Sequence, residues 1–521
     1  MLKLSDNAYR ITVFILMVLV VNLTMIASTG IMIVIPMITG EMALSTNLTV
    51  WITNGFLIAV ASIVPCSIYF AEKFGYKKTF IIGLLIYSIC GSMMAFTQTF
   101  PFFIFFRVLS GVGVGIIFPV SLSIVSQTFQ GASKSIATAA FTALGFGLGS
   151  TMGFLIGGYI GQYHEWIWAF LIDGIIGLPL VIFASLILRG TLPRPVGGFD
   201  VLGYILFLCF VTSTIIWLVN AKAAWNTEGW RSPFIIGCIL ISILSLVALI
   251  IEESKKENPL FFLELFRYQS FTIGCLLLFF LGGLFFATSS LFPGMLMAQL
   301  KYSRIQAAMH MNIYGAAVGL SGAFTGVFIR KLGMKNLIVL GGVLVAFDGF
   351  FQHSLSIYSD SFQIQTILII RGLGIGLTLG SVTAWALEKI PDRLQGNGSI
   401  IVTLFRQLGA GMLGSIINLI SYDRNIFHYQ RFMENFAFSK TRLQIVERYL
   451  FYFDKEKFGY PIMEAKEQTK YLLDEILQRQ SKLLALNDAF FFMGIVVSFL
   501  LFIIIAFFIF DFFKEKYKTV D

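Results

Sequence analysis

Apolar runs of about twenty residues, the length a helix needs to cross a bilayer, recur along this chain from one end to the other. They lie near 11–37, 50–70, 79–97, 101–124, 136–161 and 166–188, then near 201–221 and 233–251. A last set lies near 271–297, 306–329, 336–357, 362–388, 397–421 and 489–513. The pattern predicts an all-α polytopic membrane protein of about fourteen spans, with short connections. One connection breaks the rule. Residues 422–488 carry charges of both signs, and Leu472, Ile476, Leu483 and Leu486 share one apolar side, which predicts an amphipathic helical insert.

Composition agrees with that reading. The 521 residues are 57% hydrophobic and only 12% charged, whereas a soluble domain carries about 25% charged residues. Mean hydropathy is +0.84. The net charge of +9 is no nucleic-acid footprint, because the Lys and Arg residues cluster between spans and act as topology signals. Turns holding Lys73, Lys77 and Lys78, then Arg189 and Arg194, then Arg330, Lys331 and Lys335 alternate with turns nearly free of them. Both termini are therefore expected in the cytoplasm, in the inner (cytoplasmic) membrane of a cell, with 422–488 facing outward. Lys222, Arg231, Lys301 and Arg304 go against the rule. The first apolar run lacks a cleavage site and is too long for a signal-peptide core, so it reads as the first span. The five cysteines (66, 90, 209, 238, 275) fall inside apolar runs and show no metal or disulfide spacing.

Within the fifth run, glycines recur every fourth residue, at Gly145, Gly149, Gly153, Gly157 and Gly161, with Gly147 and Gly158 beside them. On a helix this strips a ridge of side chains. Each glycine costs about 1 kcal/mol against alanine, so five cost roughly 5 kcal/mol. The spacing predicts another backbone packed on the bare ridge, at an interface that opens and closes. The chain also repeats. IYFAEKFGYKK, ending at Lys78, matches GVFIRKLGMKN, ending at Asn336, and both place a glycine (Gly75, Gly333) in a basic turn. RVLSGVGVG from Arg107 matches RGLGIG from Arg371, and the glycine-rich fifth run matches RQLGAGMLG from Arg406. Three pairs in one order predict a six-span lobe (1–190), two linking spans (191–265) and a second six-span lobe (266–521), with a site between lobes.

These residues resemble the major facilitator superfamily and, within it, the fourteen-span drug:proton antiporters of the EmrB/QacA type. RVLSGVGVG is similar to that family's arginine motif in span four, and GSTMGFLIGG (149–158) to its antiporter motif in span five. WITNGF, WIWAFLIDGIIG, FDVLGYIL and ENPLFFLELFRYQSFTIG are also similar to it. The resemblance implies proton-coupled export of hydrophobic or amphipathic compounds, and a periplasmic adaptor protein docked on 422–488. Carried over by position, it implies helix packing by Gly145, Gly149, Gly153, Gly157 and Gly158, and a gating turn at Glu72, Gly75, Lys77 and Gly333. The chain departs from the pattern in four places. Ala27 stands where span one usually has an acid, Phe154 replaces the antiporter motif's proline, Glu72 replaces an Asp, and Ile68 replaces the turn's leading glycine.

Charges at membrane depth cost several kcal/mol and mark a pathway or a pair. Arg107, Asp173, Asp348, Arg371 and Arg406 are the candidates. Asp348 and Asp173 are expected as proton sites, with Arg107 and Arg371, at equivalent places in the repeat, as partners. Arg406 falls nearer the cytoplasmic side, and His310 and His353 fall at outer span ends, where an interfacial role is expected. No metal cluster, nucleophile elbow or P-loop occurs, which argues against an enzyme or an ATP-driven pump and calls for no cofactor. The expected function is secondary export of amphipathic or aromatic molecules through the bilayer, by proton antiport. The alternatives are a lipid or metabolite carrier without proton coupling, and a transport-inactive scaffold acting through the insert.

Overall fold

Every apolar run forms a helix in the computed structural model, which describes residues 5–190, 197–256, 259–438, 448, 451–452 and 462–518. The helices of the first half are α1 (Asp6–Glu41), α2 (Thr46–Phe74), α3 (Tyr76–Met93), α4 (Phe100–Thr128), α5 (Ala132–Tyr163), α6 (Trp168–Ile187) and α7 (Val201–Asn220). Those of the second are α8 (Pro233–Lys255), α9 (Gln269–Ala298), α10 (Arg304–Leu332), α11 (Met334–Phe351), α12 (Ser361–Glu388), α13 (Gln395–Phe438) and α14 (Ile462–Lys518). All 14 are long and apolar enough to span a membrane. In hydrocarbon the backbone has little choice, since only a helix or a closed barrel satisfies its own N–H and C=O groups.

Local chemistry sets the ends. Ser5, Ser45, Asp200, Ser303 and Asp360 each accept a backbone N–H from the first turn of the helix they precede, satisfying donors that a helix start leaves unpaired. Gly75 and Gly333 stand alone between α2 and α3 and between α10 and α11, with φ of 91° and 79°. Glycine alone takes that conformation freely, so the same residue marks the same turn in both halves.

Helix pairing repeats as well. In the first lobe α1 packs on α5 and α6, α2 on α4, and α3 on α4 and α6. In the second, α9 packs on α13 and α14, α10 on α12, and α11 on α12 and α14. Between the lobes α5 meets α10 and α12, while α13 meets α2 and α4. Exchanging the lobes maps one set of contacts onto the other, as a two-fold relation between repeats requires. The extra pair, α7 and α8, sits outside, with α7 against α2 and α13.

The glycine ridge takes a different place from the one its spacing predicts. Gly145, Gly149, Gly153 and Gly157 face α1, inside their own lobe. A Cβ added to Gly149 would lie 2.9 Å from Asn22 Cα, one on Gly153 2.9 Å from Ile26 Cα, and one on Gly157 2.7 Å from Gly30 Cα. The boundary between lobes is the adjoining face of α5, where Gly147 lies on Gly319, Gly158 on Ala308 and Thr151 on Gly315. Residues four apart share a helix face, so the two glycines outside the ridge's register point at the other lobe.

The insert 422–488 is also different. Its described parts, 422–438 and 462–488, continue α13 and α14, which run 44 and 57 residues. At 1.5 Å per residue these span roughly 66 and 86 Å, more than twice the hydrocarbon thickness of about 30 Å. They project as an antiparallel pair. Arg424 Nε meets Asp488 at 2.5 Å, His428 Nε2 lies 2.7 Å from the same carboxylate, and the Tyr429 hydroxyl donates to Asp474 at 2.5 Å. Leu483 and Leu486 are buried between the helices as their pattern suggests, whereas Leu472 and Ile476 are half-buried. Two of the cations that go against the charge rule root this pair: Lys222 meets Asp423 at 3.0 Å and Lys301 meets Glu475 at 2.8 Å. The segment between 438 and 462 lies largely outside the described residues.

We predict that Gly153→Leu, which drives a large side chain into the α1 backbone, costs at least about 3 kcal/mol of packing. Thermal unfolding in detergent should show the loss. A melting temperature matching wild type would mean that α5 is not seated on α1.

Candidate functional site

At the end away from the basic turns, α1, α2, α9 and α13 frame a cavity of about 320 Å³. Its wall mixes Met32, Leu57 and Phe286 with Thr53, Asn54, Ser290 and Asn418, and no charged side chain lines it. At the basic end a cleft of about 480 Å³ is lined by Glu72, Gln130 and Lys134 from the first lobe and by Arg393 and Gln395 from the second. A layer of rings lies between the two. Phe146 sits 5.3 Å from both Phe118 and Phe285, centroid to centroid, and Phe285 sits 5.3 Å from Phe286. Many phenylalanines of this chain do face outward, but these four are buried. Periodicity cannot separate them, because helices that are apolar all round give no moment.

Arg406 belongs to this layer. Ala410, Gly414 and Asn418 line the cavity from α13, and Arg406 continues the same stripe one turn deeper, about 5.4 Å along the axis. Its guanidinium carbon lies 4.0 Å from the Phe118 centroid and 4.7 Å from that of Phe146. Nε and both Nη atoms have no hydrogen-bond partner, and no ion pair reaches them among the described residues. A desolvated cation–π contact contributes about 2 kcal/mol, less than the several kcal/mol that burying a charge costs. The sequence shows the charge but not its isolation.

The other intramembrane charges find their partners within single lobes. Arg371 on α12 holds Asp348 of α11, Nε to Oδ2, at 2.5 Å, reaches Thr288 Oγ1 at 3.3 Å and bonds Gln352 Oε1. Its guanidinium lies 4.4 Å from the Phe490 centroid. The equivalent Arg107 on α4 takes no carboxylate within ion-pair distance among the described residues. It donates from Nε to Ile52 O at 3.3 Å and lies over Phe56 at 4.2 Å. Asp173 on α6 instead accepts from Tyr87 at 2.7 Å, with its other oxygen unpartnered. Counted from the turn glycines, Cys90 fills in the first lobe the place of Asp348 in the second. The first lobe thus draws its carboxylate from another helix, and Asp173 and Arg107 attract each other without closing into an ion pair.

At the basic end Lys77 donates to Ser185 O at 2.6 Å, tying the α2–α3 turn to α6, while Glu72 lines the cleft. His310, near the start of α10, is buried and stacked on Tyr302 at 5.0 Å. His353 is exposed, 3.6 Å from Asp488. Ala27 is buried and leaves α1 without an acid facing the lobe boundary.

A model described as Major Facilitator Superfamily matches residues 17–201 and 196–414. The chain belongs to the major facilitator superfamily. It is therefore a multi-pass membrane transporter rather than an enzyme. It is 25% identical to the multidrug transporter protein MdtP of Bacillus subtilis, over 74% of this chain and 71% of that one. It is 24% identical to the multidrug export protein EmrB of Escherichia coli, over 83% and 84% of the two chains. The fold matches a bacterial homolog of the human lysosomal transporter Spinster, with a TM-score of 0.58 at 15% identity over 95% and 97% of the chains. It also matches the proton:xylose symporter XylE, with a TM-score of 0.58 at 13% identity over 96% of each chain.

Asp348→Asn leaves Arg371 buried without its counter-charge, and the expected cost is about 3–5 kcal/mol. Adding Arg371→Met should recover much of it, while Asp173→Asn, which keeps an acceptor for Tyr87, costs about 1 kcal/mol. Thermal unfolding of wild type, these three variants and Arg371→Met alone checks this, and additive losses at 348 and 371 would contradict the pairing.

Proposed function

We propose that this transporter exports amphipathic or aromatic small molecules as a multidrug-type secondary carrier, by alternating access and in exchange for protons. One observation carries the reading. A cavity and a cleft lie at opposite ends of the lobe boundary, both built from both lobes, with one buried layer of rings and Arg406 between them. Rocking the lobes about α5 and α10 would open one end as it closes the other. The mixed apolar and hydroxyl wall suits substrates with a greasy body and few polar groups, and relatives named as multidrug exporters support the same class.

In this reading the basic turns lie in the cytoplasm and the cavity opens outward across the inner membrane. The projecting α13–α14 pair is the docking surface for a periplasmic adaptor. The gating turn at Glu72, Gly75, Lys77 and Gly333 steadies the cytoplasmic end, and Gly145, Gly149, Gly153, Gly157 and Gly158 keep α5 close to its neighbours. With Ala27 in α1 the coupling proton passes to Asp348, whose bond to Arg371 alternates as the second lobe flexes, and Asp173 beside Tyr87 is the second carrier. The uncharged cavity wall favours one rival, a carrier of lipid or metabolite without proton coupling.

The test uses proteoliposomes loaded with a fluorescent amphiphile. Wild type should concentrate it in response to a pH gradient and also exchange it at equal pH. Asp348→Asn should keep exchange and lose the pH response at least tenfold, with Asp173→Asn the weaker case. A wild type that exchanges substrate but ignores pH would favour the uncoupled carrier. A wild type that moves nothing would leave only a scaffold.

A further inference from the structure

Among the described residues three arginines are fully buried, and they are handled in three ways. Arg371 has a carboxylate, Arg107 a backbone carbonyl and a ring, and Arg406 two rings alone. Arg406 differs in place as well. It stands where α13 meets α4 of the other lobe, with Gly282 of α9 at its back, one turn beneath the cavity floor. Its three nitrogens form a planar fork of donors with nothing to donate to. Buried donors are almost always satisfied, so an empty set beside a cavity points to a partner that arrives from outside.

We infer that Arg406 is the anchor for an anionic group on the transported molecule, a carboxylate, sulfonate or phosphate, whose apolar body fills the cavity above it. This rests on the export reading and narrows it. No acidic side chain lines the cavity, so a cationic amphiphile meets an unopposed like charge one turn below the floor. An anion meets a fork whose geometry matches two of its oxygens. Phe286 belongs both to the cavity wall and to the ring layer, which places an aromatic surface beside the cation for the rest of the molecule.

The cage also explains how binding is linked to movement. Phe118 and Phe146 belong to the first lobe and Arg406 to the second. Counted from Gly149 and Gly409, which face α1 and α9 at matching places, Phe146 and Arg406 are repeat equivalents. One lobe therefore supplies a ring where the other supplies the charge. When the lobes rock, the rings slide off the guanidinium, and an empty carrier would expose a bare buried cation at that point. A bound anion replaces the rings, so the loaded carrier crosses more readily than the empty one.

The experiment reconstitutes the full chain in proteoliposomes and follows three probes: anilinonaphthalene sulfonate, a labelled phosphatidylglycerol and ethidium. Wild type is expected to move at least one anion and to exclude ethidium by tenfold or more. A preference for the sulfonate indicates a soluble substrate, and a preference for the lipid indicates a headgroup drawn from the leaflet. Arg406→Gln should lose anion transport at least tenfold while melting no lower than wild type, because it removes an unpaired buried charge. Anion transport by Arg406→Gln equal to wild type overturns the anchor, as does a wild type that moves ethidium and neither anion, and both outcomes leave the export reading standing. A wild type that moves no probe removes the export reading and the anchor together. If Arg406→Gln does not fold, thermal shift of wild type decides: stabilisation by ethidium equal to that by either anion overturns the proposal.

Discussion

Along α5, Gly149, Gly153 and Gly157 lie against the backbone of α1 and Gly145 against its Val21 side chain, while Gly147 and Gly158 lie against α10 of the other lobe. One helix is thus stripped of side chains on two faces, and much of the remaining architecture hangs from that. In lipid there is no hydrophobic force to hold helices together, so close backbone approach is what stabilises their association. The contact with α1 fixes the helix in its lobe. The contact with α10 runs from Ile136 beside Gly326 at the basic end to Gly161, whose carbonyl Arg304 holds at 2.9 Å. On the export reading, a contact with so few bulky side chains would let one lobe turn on the other once Arg304 releases the Gly161 carbonyl, which interdigitated residues would prevent.

The second constraint is the cost of charge. A polytopic bundle tolerates few buried ions, and here each is confined to a place with a purpose that geometry suggests. The Arg371–Asp348 pair is closed off inside the second lobe, ringed by Thr288, Gln352 and Phe490. Asp173 is closed off inside the first, between Tyr87 and the bare Gly91, where an added Cβ would stand 2.6 Å from its oxygen. Neither group reaches the cavity wall. On the proton-antiport reading, coupling through either acid would therefore act within a lobe rather than by touching a substrate in the cavity.

Most of the fold was legible because membrane helices announce themselves by length, and the turn glycines Gly75 and Gly333 announce the repeat. The helix ends beyond the bilayer were not. Charged residues at 422–438 and 462–488 read as a separate helical insert because hydropathy marks only where the bilayer ends, while a helix continues wherever its own hydrogen bonds and a partner helix allow. The direction of the glycine ridge was hidden for a related reason. Spacing tells which residues share a face, but not which neighbour the face meets. The pairing of Asp348 followed from the repeat. That of Asp173 did not, since the first lobe places Cys90 at the equivalent position and borrows a carboxylate from α6.

Duplication also explains why the centre of the molecule can be selective. Two identical lobes would place the same side chain on both sides of the axis, and two arginines or two rings there would give either repulsion or a neutral plug. Divergence at one position, Phe146 against Arg406, produces a ring and a cation in contact at 4.7 Å. If Arg406 anchors an anion, that contact would seal the resting boundary and then be exchanged for a charge-assisted hydrogen bond, which is about twice as strong as a neutral one. A seal that gives way only to a better partner is a gate and a selectivity filter at once. On the anchor reading it would need one divergence between repeats and no acid in the cavity wall.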